Sequence, residues 1–106
     1  MKGYAFTQVS GTAENEVLMD LGQSRTVSSL HYKPAQNGIA THYEILVGDE
    51  PSQLRTLTTG EFSNIRNNPI RQDVYLTPTP ARYIMLRALR TVDGSKRLLF
   101  DKLVVR

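Results

Sequence analysis

Six segments of this chain, EVLMDL, TVSSLHY, THYEILVG, PIRQDVYL, ARYIMLRA and LLFDKLVV, follow one another with almost nothing helical between them. Each is short, rich in Val, Ile, Leu and Tyr, and bounded by Gly, Pro, Asn or Asp, the pattern of strands in a β-sandwich. A chain of 106 residues holds one such core, hiding roughly 60 to 70 % of the surface its extended form would expose. The expected fold class is therefore all-β, an antiparallel sandwich, with residues 1–106 forming a single module. Such a scaffold leaves its chemistry to the loops.

Side-chain alternation gives the strands their faces. Val17, Met19 and Leu21 point one way, and Gly22 ends that run with a turn over 23–25. Leu30 and Tyr32 share a face with Ser28 in the next strand. Pro34 cannot donate to a ladder, and Asn37-Gly38 supplies the positive φ of a tight turn. Tyr43, Ile45 and Val47 are expected in the core from the strand over 41–48. A shorter strand over 54–59 leads into a loop, 60–69, crowded with Asn64, Asn67 and Asn68. Val74 and Leu76 point inward before a Pro-rich connector at 77–80, then Ile84, Leu86 and Ala88. The closing strand sets Leu99, Leu103 and Val105 opposite Phe100, Lys102 and Val104. If successive strands alternate in direction, the loops 33–39, 60–69 and 89–97 share one end, which makes that end the expected binding surface.

Several function classes are disfavoured at this stage. No catalytic residues are expected, because His31 and His42 occupy strand positions, lack a metal-ligand spacing and have no Cys to join them. No metal and no cofactor are expected. Asp20 lies between Met19 and Leu21 in a strand and is expected to pair with Arg82 or Arg87 across the sheet. Basic residues outnumber acidic ones by a net +3, yet they are scattered, so no nucleic-acid partner is expected. No apolar run is long enough for a membrane span. Arg66 and Arg97 read as solvated loop charges that could instead fork the carboxylate of an acidic sugar.

The ordered set EVLMDLG, TVSSLHYKPAQNG, ATHYEILVG, GEFSNIRNNPI and ARYIMLRAL resembles the discoidin domains, also called coagulation factor type C domains. The similarity is greatest to the galactose-binding-like modules appended to bacterial glycoside hydrolases such as chitobiases (β-hexosaminidases) and α-fucosidases. The resemblance implies a jelly-roll-like sandwich that binds glycans through its end loops and tethers an enzyme to carbohydrate. The chain departs from the family at Ala35, where sugar-binding members often carry Arg, at Leu54, where they carry Trp, and at Lys102, where an acid holds structural calcium in many members.

On this reading the chain is a non-catalytic carbohydrate-binding accessory module of a secreted, periplasmic or cell-surface glycoside hydrolase. Its partners are a glycan or polysaccharide and a neighbouring catalytic domain in the same chain. Gln36, Asn37, Asn64 and Asn67 are expected to hydrogen-bond sugar hydroxyls while Phe62 stacks on the ring, with Tyr4 or Phe6 as other aromatic candidates. The alternative is a structural module that packs on a catalytic domain without binding sugar, for which an exposed apolar patch on one sheet face is expected.

Overall fold

A computed structural model of the chain describes residues 6–13, 16–34, 40–62, 71–91 and 98–106. These residues form six strands, β1 Phe6–Ala13, β2 Glu16–Pro34, β3 Ala40–Gly48, β4 Arg55–Glu61, β5 Gln72–Thr91 and β6 Leu98–Val105, and no helix. All neighbours run antiparallel in the order β1-β6-β2-β5-β3-β4. The all-β class expected from the sequence is what the chain adopts.

The two turns expected at 23–25 and 77–80 do not end strands. β2 and β5 run through them as single elements, and the register shows how. Asp20 pairs with Tyr83 and Arg25 with Ala81, so Leu21, Gly22, Gln23 and Ser24 face Arg82 alone. A second shift follows, where Val27 pairs with Thr79 and Ser29 with Tyr75. Extra residues on one strand of a ladder bend it sharply, which is how strands pass from one layer of a sandwich to the other. Beyond the corner, the second half of β2 pairs with β6 and the first half of β5; before it, the first half of β2 pairs with the second half of β5, which also pairs with β3. One continuous ladder thus supplies two layers. A single core collects Met19, Leu30, Tyr32, Ile45, Val47, Ile84, Leu86, Leu103 and Val105 from both.

The corner is held by a carboxylate. Gly22 N–H donates to Asp20 Oδ1 (2.8 Å), and Arg82 donates through Nε to Oδ1 (3.0 Å) and through Nη2 to Oδ2 (3.1 Å). The expected pairing of Asp20 is thereby resolved in favour of Arg82. Arg87 bridges Glu16 and Glu44 instead. The Arg82 hydrogen bonds, with the Gly22 N–H, hold the Asp20 carboxyl below its ordinary range.

Core alternation is shifted at two other points. Ser29, not Ser28, is buried between Val27 and Leu30, and the irregularity after Val27 changes the phase of β2. In β6 the buried set is Leu98, Phe100, Leu103 and Val105. Phe100 therefore points inward, against the strict alternation expected from the sequence. Lys33 pairs with Lys102 and Pro34 with Phe100, which leaves Asp101 as the extra residue of a bulge.

Gly22 has φ +88°, in the left-handed region where a Cβ costs about 1–2 kcal/mol. Space is open around it, so Gly22→Ala should lower unfolding free energy by about that amount with no packing contribution, read from urea midpoints at unchanged slope. Because the folded Asp20 pKa is depressed, its stabilisation is complete above the unfolded value of about 3.9 and disappears as pH falls through the lower folded value. Asp20→Asn should therefore flatten the acid limb of stability below about pH 4.

Candidate functional site

Strand ends converge at one pole. Pro34 lies opposite Phe100, Tyr32 opposite Gln72, Ala40 opposite Thr91 and His42 opposite Glu61. The described flanks of 35–39, 63–70 and 92–97 are thus neighbours. Tyr32, from one half of the ladder, links to the other half twice: Ala40 N–H donates to its hydroxyl oxygen (3.1 Å), and its ring lies 5.3 Å from Phe62. Phe62 stacks on Tyr43 at 4.6 Å, and its N–H donates to Thr41 O (2.8 Å). A methyl built on Gly60, the cross-strand partner of Tyr43, would sit 2.6 Å from Tyr43 Cζ. Glycine there lets the Tyr43 ring lie against the backbone of β4.

Burial decides the aromatic roles. Phe62 is 6 % exposed, so its ring completes the core beneath the pole and is not offered to solvent; this corrects the expectation that it stacks on a ligand. Its position just after β4, beside the ladder's end, explains why an aromatic is needed there. Phe6 is also displaced, because it pairs with Val105 at the far end of β6. Gln36, Asn37, Asn64 and Asn67 lie outside the described residues, as do Tyr4, Arg66 and Arg97. Desolvation pushes the Tyr32 phenol up to about 12 and raises Tyr43.

The structure also shows a concavity that the sequence reading missed. On the outer face of β6, β2 and the start of β5, a cavity of about 340 Å³ is lined by Ser29, His31, Lys33, Tyr75, Lys102 and Arg106, among others. His31 is fixed from both sides, with Nδ1 2.6 Å from Asp73 Oδ1 and Nε2 3.0 Å from Ser29 Oγ. Arg71 holds the same carboxylate, Nε to Oδ1 at 3.0 Å. The His31 hydrogen bond first, then Arg71, keeps the Asp73 carboxyl low. The available signal was the polar alternation Ser29, His31, Lys33 and Arg71, Asp73, Tyr75, which period-2 reasoning reads as a solvated face. Among the described residues no group of three or more His, Asp or Glu is placed to hold a metal.

The F5/8 type C domain model matches residues 2–101. This chain belongs to the F5/8 type C domain family. Its fold is similar to CpGH89CBM32-5 from Clostridium perfringens, solved in complex with GalNAc-β-1,3-galactose, at 25 % identity and TM-score 0.75, covering 85 % of this chain and 63 % of that one. A glycoside hydrolase 29 family member from an unknown rumen bacterium aligns at 30 % identity and TM-score 0.74, covering 84 % of this chain and 17 % of that one. The C-terminal domain of a chitobiase from Bacteroides fragilis aligns at 18 % identity and TM-score 0.67, covering 86 % and 61 %. No curated protein sequence matches the chain. The F5/8 type C domain thus spans less than two thirds of each of these chains. Its structural neighbours include carbohydrate-binding modules.

Tyr32→Phe in this F5/8 type C domain should leave the buried Ala40 N–H without a partner and cost about 1–3 kcal/mol at pH 8. The raised phenol adds a pH signature. Stability linked to Tyr32 is intact below its ordinary value of 10.0 and is lost as pH climbs towards about 12. Over that window the variant should close the gap to wild type by about 2 kcal/mol, measured by urea unfolding between pH 8 and 12.

Proposed function

We propose that the domain is a carbohydrate-binding accessory module, carried beside a catalytic domain in a secreted, periplasmic or cell-surface glycoside hydrolase of chitobiase or α-fucosidase type, and that it holds a glycan end at its loop-bearing pole. The supporting observation is the convergence of three loop-flanking strand pairs at one end of an F5/8 type C domain. Gln36, Asn37, Asn64 and Asn67 belong to the segments that those strands launch. Their planar amides offer both donors and acceptors, the groups that fork adjacent sugar hydroxyls. Phe62, the last described residue before the 63–70 segment, is clasped by Tyr32 and Tyr43 in the core. Its role in this reading is positional.

The alternative, a module that only packs on a neighbour, gains no support from the outer faces. Among the described residues the exposed large hydrophobics are Leu18, Tyr75 and Leu89. Tyr75 belongs to the face of the β6–β2–β5 layer, while Arg87, bonded to Glu16, stands between Met85 and Leu89 along β5. Leu18, Met85 and Leu46 are cross-strand neighbours on the other outer face, yet of these three only Leu18 is exposed.

Titration on a glycan array should find a neutral saccharide bound by the intact chain. Asn64→Ala and Asn67→Ala should each weaken that binding by up to about tenfold, the value of one lost hydrogen bond. Phe62→Leu should lower the unfolding midpoint yet leave glycan affinity within about twofold. Absence of binding to every glycan overturns the reading; a large affinity loss in folded Phe62→Leu returns the ring to the ligand.

A further inference from the structure

We infer that the outer face of the β6–β2–β5 layer is a second saccharide site, one that takes a carboxylate-bearing polysaccharide. It is independent of the loop pole. Lys33 and Lys102 are direct cross-strand partners and both are exposed. Like charges placed opposite each other on antiparallel strands destabilise the pair, and neither ammonium has an acid partner among the described residues. Arg71 and Arg106 line the same cavity. Asp73, which Arg71 reaches, is already held by Arg71 and His31. Asp101, the bulged residue of β6, does not line the cavity, and β1 on the other flank contains no charged residue. The cavity is lined by four basic side chains, Lys33, Arg71, Lys102 and Arg106, and by no acidic one.

The remaining lining narrows the ligand. Tyr75 is 78 % exposed, and His31 meets it edge-on at 6.4 Å. An exposed ring beside fixed polar atoms suits the apolar face of a sugar. Ser29 and His31 form a polar floor suited to hydroxyls, while the Lys33–Lys102 pair is placed to meet an anion. Tyr75 lies level with Ser29 and the lysine pair four residues further along β2, so successive residues of a polyuronate supply all three features: an apolar ring face, hydroxyls and a carboxylate. Bonds on both nitrogens hold the His31 ring in place, so little side-chain freedom is lost on binding. A densely sulfated polymer would use only the charges, and a single-stranded nucleic acid the charges and the Tyr75 face but not the hydroxyl-matched floor.

The test uses the intact chain in affinity electrophoresis through gels containing polygalacturonate, a neutral galactan, dextran sulfate or single-stranded DNA. Retardation by polygalacturonate above that by dextran sulfate and DNA at matched charge is expected. The double variant Lys33→Gln/Lys102→Gln should weaken it about tenfold or more, Tyr75→Ala by several-fold, and Arg55→Gln, a cation removed from β4, by less than about twofold. Unfolding curves of the variants show that each is folded. Undiminished retardation of the double variant overturns the site. Equal retardation by sulfate polymer or DNA, or indifference to Tyr75→Ala, reduces it to bulk electrostatics and overturns the saccharide assignment. Loss of neutral-glycan binding on the array with polygalacturonate binding kept would sink only the loop-pole reading, and the converse only this one.

Discussion

Bending two strands without breaking them is the constraint on which this molecule depends. β2 and β5 must each serve both layers, so the corner has to absorb the extra residues Leu21 to Ser24 while its backbone groups stay bonded. Asp20 does this by accepting both the Gly22 N–H and the Arg82 fork. The carboxylate is exposed, so screening keeps its energetic weight small. Its contribution is geometric, because it fixes where one layer ends and the other begins. Gly22, with its positive φ, makes the same corner sterically possible.

From that corner the rest follows. A ladder folded on itself buries one face of each layer in a shared core and turns the other faces outward. On one outer face Arg87 ties Glu16 and Glu44 across three strands, closing its charges among themselves. On the other, the charges do not balance. Away from the corner, both layers terminate together, and the Tyr32–Phe62–Tyr43 cluster seals them. Gly60 is part of this seal, since any side chain there would displace Tyr43. The described end of the sandwich is therefore a packed rim of aromatic contacts.

Strand existence and most of the core were legible in the chain because alternation is a strong signal where one face is buried. Ile45, Val47, Ile84 and Leu86 are fully buried, as that pattern requires. What alternation cannot register is a change of phase. The bulge at Asp101 turned Phe100 inward, and the shift after Val27 moved the core face of β2 from odd positions to Leu30 and Tyr32, because one extra residue flips every later side chain. Gly22 and the prolines at 78 and 80 carried a turn signature, yet a bend within a paired strand has the same composition as a reversal between two strands. Phe62 was misread for a related reason: it stands next to polar loop residues, and only its ring contacts across the two layers reveal it as core. The basic face stayed hidden because its cations, Lys33, Arg71, Lys102 and Arg106, come from three strands far apart in the chain.

The order Ser29, His31, Asp73 on that face matches the hydrogen-bond sequence of a hydrolytic triad, with Oγ to Nε2 and Nδ1 to carboxylate. Its surroundings give it a different role. The N–H groups of Ser28 and Ser29 both donate to Arg106 O, at 2.6 and 3.1 Å. Neither is free to stabilise a developing oxyanion, the part of acyl transfer that contributes most. A nucleophile also needs a sharp turn to project it, whereas Ser29 lies within β2, paired on one side with Tyr75 and bonded on the other to the end of β6. With attack geometry absent, the same chain of bonds holds the imidazole in one orientation and one tautomer, Nδ1–H towards Asp73, when the ring is neutral. The hydrogen-bond logic that elsewhere drives hydrolysis here keeps a polar floor fixed between Tyr75 and the facing lysines.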